Sequence, residues 1–169
     1  MRLVRVPLDS PLRPLEALRA LRGDERPFAL IGRWAGGGAV LGSEPSNIAP
    51  AGADPFALLD ELPEVAADAR EAMSAVGGGW FGYLGYSLGA RLERLPPAPA
   101  RPHPLPAFDL AFYDHVLRLD PEGRWWFEAL VDAGATHPRL ELMRGRMAQA
   151  PPMSRSSRAV RGQPGTCRR

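Results

Sequence analysis

Three histidines, one cysteine and a glycine-aromatic stretch are the features of this chain that invite a chemical reading. His103 lies among prolines, His137 precedes Pro138, and His115 follows Asp114 in a β-rich segment. A metal site needs at least two converging ligands, and neither HxH nor HExxH spacing occurs. His115 therefore reads as a solvated or edge-strand histidine, with Asp114 free to hydrogen-bond it or a turn. Cys167 is the only cysteine, so neither a disulfide framework nor a cysteine metal site can be built. Ser43 and Ser87 lack the GxSxG elbow of a serine nucleophile. The adjacent pairs Asp24-Glu25 and Asp60-Glu61 read as solvated charges at helix ends or turns, not as acid–base couples. Trp125-Trp126 must point to opposite faces of a strand. That suits one core ring and one surface or interface ring better than a base-stacking platform.

Residues 77–89 read GGGWFGYLGYSLG. The first six fit GxGxxG by letter, but YLGYSLG is a poor helix opening for a dinucleotide site. A P-loop is excluded because the chain has no lysine. Glycines interleaved with large rings suit a strand or bend that something approaches closely. No complete catalytic constellation emerges from these residues.

The elements that would position them follow from periodicity and turn chemistry. RLVRVPL (2–8) alternates as a first strand, and PLEALRALR (14–22) places Leu15, Leu18 and Leu21 at helical spacing. Residues 27–32 and 39–44 form a hairpin around the turn glycines 36–38. Asp54-Pro55 caps a helix that Pro63 ends at Leu62. Residues 64–75 suit a short helical stretch, and Arg91 to Glu93 a helical turn. Six prolines in 95–106 impose an extended loop. Residues 107–120 and 124–131 make a second hairpin about PEG (121–123). A helix begins near Arg139. This mixture without βαβ alternation predicts an α+β class, with antiparallel β-sandwich-like layers and short flanking helices.

The 169 residues allow one domain with a sizeable core. No run of about 18 apolar residues predicts a membrane span, and the N-terminus does not read as a secretory signal. These features favour the cytoplasm. Residues 1–149 hold 16 arginines against 19 acids, a net of −3, whereas residues 150–169 hold five arginines and no acid. The basic balance belongs to the tail, which weakens a nucleic-acid reading. The division expected is a domain at 1–149 and a disordered arginine-rich tail at 150–169.

The order of motifs is more specific than any one of them: GSEP (42–45), GGGWFGYLGYSLG (77–89), RLERLP (91–96), a proline-rich loop, then LPAFDLAFYDHVLRLD (105–120). Over roughly residues 1–145 this resembles the N-terminal region of component I of aminodeoxychorismate synthase and, more distantly, of anthranilate synthase. The resemblance implies a sandwich domain that packs on a chorismate-binding catalytic domain, with Gly79, Phe81, Gly82, Tyr83, Gly85, Tyr86 and Tyr113 as packing positions. It maps the family's regulatory tryptophan pocket to Ile31, Gly32, Trp34, Phe81 and Tyr83. Gly32 stands where the family's L-L-x-S motif has serine, Trp34 would fill part of the space, and Ser87 stands where aspartate is usual. The implied parent reaction is amination of chorismate to 4-amino-4-deoxychorismate, on the route to p-aminobenzoate and folate. Its ammonia would come from a glutamine amidotransferase subunit, and Mg²⁺ would be bound by the catalytic domain. No catalytic or metal-binding residue is expected here. The chain reads as a truncated, inactive N-terminal domain. The alternatives are a stand-alone regulatory or interaction module that partners a separate catalytic domain, and a fragment of anthranilate synthase component I.

Overall fold

The structure is a computed structural model that describes residues 1–34, 37–66, 75–94 and 105–149. The expected tail at 150–169 and most of the proline loop lie outside the described residues, as do 67–74 of the helix expected at 64–75. Glu64 to Ala66 are not helical: Leu3 donates to Ala66 and Ala66 to Met1 across an isolated bridge. No described helix is long and apolar enough to cross a membrane.

The class is α+β, with two antiparallel sheets and few short helices. The five-stranded sheet contains β1 (Arg2–Leu8), β2 (Phe28–Trp34), β3 (Gly37–Gly42), β7 (His115–Leu119) and β8 (Trp125–Val131), in the order β1-β8-β7-β3-β2. The three-stranded sheet contains β4 (Asn47–Ile48), β5 (Gly79–Leu84) and β6 (Phe108–Tyr113), in the order β4-β6-β5. Glycines 37 and 38, expected in the turn, belong to β3. The turn at 121–123 forms as expected, with Gly123 donating to the Asp120 carbonyl.

The larger sheet buries one face under α1 (Pro14–Ala20) and the C-terminal helix, α4 in order below (Leu140–Gln149). Alternation along β8 turns Trp125, Phe127, Ala129 and Val131 to this core, where Met143 and Met147 of the helix meet them. The Trp125 indole donates to the Leu12 carbonyl at 2.8 Å, which satisfies its one polar atom inside the core. Trp126 faces the other way, half-buried, with the Arg5 guanidinium 4.4 Å from its ring centre. On that second face lies Glu128, fully buried. It accepts from the amides of Val76 (2.6 Å) and Gly77 (3.0 Å) and pairs with Arg5 and Arg118. One carboxylate thus ties three strands to the segment that leads into β5.

The smaller sheet rests on α2 (Pro55–Asp60), the 3-10 turn Tyr86–Leu88 and α3 (Gly89–Leu92). The Asp54 carboxylate caps α2 by accepting from the Phe56 amide at 3.1 Å, with Pro55 in the first turn as expected. Phe108 and Leu110 of β6 face this layer with Leu88, while Asp109, Ala111 and Tyr113 face the opposite way.

Residues 107–120 do not form one strand. β6 ends at Tyr113 in the small sheet, and β7 begins at His115 in the large one. Asp114 alone makes the corner, a bend of the kind by which a strand changes sheets.

Candidate functional site

Where the small sheet turns its second face toward edge strand β2, it encloses a cavity of about 570 Å³. Three rings line it as a cluster. Phe28 stacks on Phe81 at 4.5 Å between centres, and Tyr113 meets both edge-on at 4.8 and 5.8 Å. The Tyr113 hydroxyl donates to the Arg26 carbonyl at 2.8 Å. Burial pushes its phenol up, opposed by the Arg26 charge and reinforced by Asp109, so it stays a neutral donor. At the rim the Arg26 guanidinium pairs with the Asp109 carboxylate, both partly exposed. The cavity therefore offers flat apolar walls with one cation and one anion at the mouth. That chemistry suits a small aromatic molecule with polar ends.

The sequence-derived pocket residues are only partly brought together. Phe81 lines the cavity. Ile31 does not: it is half-exposed on the other face of β2, and Phe28 and Leu30 take the inward positions. The resemblance gives a position along the strand, and the period-2 alternation then decides its face. Gly32 sits at the irregularity between Ile31 and Trp34, where pairing with β3 shifts register. The Trp34 side chain lies outside the described residues. Tyr83 is 39% exposed and donates to the Pro106 carbonyl at 3.2 Å, away from the cavity.

The expected packing positions also divide. Gly82 (φ +151°) has the Asp109 carbonyl 1.9 Å from where a Cβ would be, so β6 can approach only a glycine there. Gly85 meets the Ala107 carbonyl in the same way, at 2.7 Å. Gly79 has open space instead. Tyr113 is buried. Tyr86 is not: it lies in the 3-10 turn beyond the strand and is 90% exposed. The glycine-aromatic stretch is a strand only as far as Leu84.

A second constellation has no counterpart in the sequence reading. His115 is neither solvated nor on an edge. It is 2% exposed on central strand β7 and stacks on Phe127. Its Nδ1 lies 2.7 Å from Asp114 Oδ1, and His137 Nε2 approaches the same oxygen at 3.2 Å. Burial pulls the Asp114 carboxyl upward, but the hydrogen bonds from His115 and His137 carry it well below the usual carboxylate range. His115 and His137 are 22 positions apart and share no motif. The corner at Asp114 and the loop before the last helix bring them together. Among the described residues this is the only trio of metal-capable side chains. One carboxylate and two imidazoles do not suit Mg²⁺, which takes oxygen ligands. No step through Mg²⁺ is assigned to this chain.

No protein-family model matches the chain, and no curated protein matches it.

Proposed function

We propose that the chain forms the N-terminal domain of a component I-type chorismate-aminating enzyme of the aminodeoxychorismate synthase kind, acting in the cytoplasm. Its role is to pack against a chorismate-binding catalytic domain, which itself works with a glutamine amidotransferase. The observation that carries this reading is an apolar surface at the end of β5. Tyr86 (90% exposed), Leu105 (74%) and Leu92 (70%) lie open there beside the half-exposed Leu84. Gly85 bonds to Ala107, so the two chain segments that bear these side chains are neighbours. Large apolar groups gathered at one end of a thin sheet mark a surface meant to be covered. The resemblance carried by the ordered motifs of residues 42–120 supports a chorismate-binding domain as the cover.

The test mixes the purified full chain with a separately expressed chorismate-binding domain of this class. Co-elution on size exclusion is expected, lost on the double substitution Leu84→Asp, Tyr86→Asp. The chain alone, given chorismate, Mg²⁺ and ammonia, should form no aminodeoxychorismate. Turnover by the chain alone would overturn the reading. So would a monomer that ignores the catalytic domain and binds no apolar dye.

A second reading, a stand-alone regulatory module, is favoured by the aromatic cavity with Arg26 and Asp109 at its mouth. Quenching of Trp80 fluorescence by an aromatic amino acid, abolished by Arg26→Ala, would support it.

A further inference from the structure

We propose that Asp114, His115 and His137 form a binding site for one divalent cation of the Zn²⁺ type, which fastens the corner between the sheets to the start of the last helix. The donor set is two imidazole nitrogens and one carboxylate oxygen. This is the set that borderline dications select, with a fourth position left to water. The three donor atoms lie within 4.8 Å of one another, wider than the roughly 3.3 Å edge of a tetrahedral shell, so the side chains must draw inward to share one ion.

The surroundings hold these side chains as ligands are held. The His115 ring packs in a triangle with the Phe127 and His137 rings, whose centres lie 5.6 and 4.7 Å from its own and 5.4 Å from each other. Both histidine side chains are more than nine-tenths buried, whereas Asp114 is 31% exposed and gives the ion a way in. His115 Nε2 is buried with no hydrogen-bond partner among the described residues, so protein groups alone do not complete this ring. Arg139 donates its amide to His137 Nδ1 at 3.2 Å, which turns Nε2 toward Asp114. Cation entry exchanges two imidazole–carboxylate hydrogen bonds for coordinate bonds. The proton on each ligating nitrogen passes to the other nitrogen of its ring, so His137 Nδ1 ceases to accept and the hydrogen bond from the Arg139 amide is given up.

The experiment titrates the untagged, metal-free full chain with Co²⁺ and follows visible absorption, with Zn²⁺ as competitor. One equivalent is expected to bind, Zn²⁺ to displace it, and Zn²⁺ to raise the thermal midpoint. His137→Ala should weaken binding by more than the roughly 10–100-fold that a lost outer partner costs. His103→Ala and Cys167→Ser should leave binding unchanged, since neither residue belongs to the trio. Circular dichroism checks that the variants fold, and His137→Gln serves if the alanine variant does not. Absence of Co²⁺ binding at about 1 mM would overturn the proposal, leaving a purely hydrogen-bonded lock. So would binding that survives the His137 substitutions or is lost in the His103 or Cys167 variants.

Discussion

The two sheets solve the problem of burial unequally. Among the described residues, the five-stranded sheet gathers fourteen buried side chains into one cluster beneath two helices, whereas the three-stranded sheet gathers three. The first also buries an ion cluster around Glu128. The second leaves Tyr86, Leu92 and Leu105 in water. One half of the molecule is a finished domain core. The other holds its shape through backbone fit, above all the seating of β5 on β6, and presents apolar surface outward. Burial and exposed apolar surface fall on different sheets.

The strongest way to sharpen that contrast is Glu128→Ala. It leaves Arg5 and Arg118 without their shared carboxylate and strips two backbone amides of their acceptor. Removing one side of a buried pair costs about 3–5 kcal/mol, so urea melts should show a loss of that size. Gly82→Ala attacks the other sheet. A Cβ 1.9 Å from a backbone carbonyl must push β5 off β6, at roughly 2–4 kcal/mol. If the sheets are as unequal as their cores, Trp80 fluorescence and far-ultraviolet dichroism should then melt at different denaturant concentrations. Coincident melts would break the comparison.

The smallest effect is electrostatic and confined to the large sheet's side. Burial raises the Asp24 carboxyl, but hydrogen bonds from Arg146 and Ser43 prevail and hold it below its ordinary value. A depressed folded value means that its stabilisation is fully present above the unfolded value of about 3.9 and is lost as pH falls through the folded one. Asp24→Asn should therefore lower stability at neutral pH and flatten the acid limb of thermal midpoint against pH. Gly82→Ala should leave the slope of that limb intact.

Much of the fold was legible in the sequence where its signals are local. Alternation in RLVRVPL, the cap at Asp54-Pro55 and the turn at 121–123 each decide a conformation within a few residues. The split of 107–120 was not legible. FDLAFYDHVLRLD has strand character throughout, and only tertiary pairing assigns its halves to different sheets. Ile31 and Leu30 show the same limit on a smaller scale, since one step along β2 exchanges cavity for surface. The trio at Asp114 was invisible for a stronger reason: its members converge only once the corner and the last loop have formed.

The pairing of β1 with β8 carries a consequence for synthesis. Arg2 lies opposite Val131, so β1, once synthesised, waits about 6–25 s for its partner at roughly 5–20 residues per second. Throughout that wait it is an unpaired template on which other nascent chains could stack. Its composition answers the hazard: Arg2 and Arg5 place charge along the strand, and Pro7 removes one donor. The residues that later frame Glu128 and Trp126 thus serve first as a guard on a chain not yet folded.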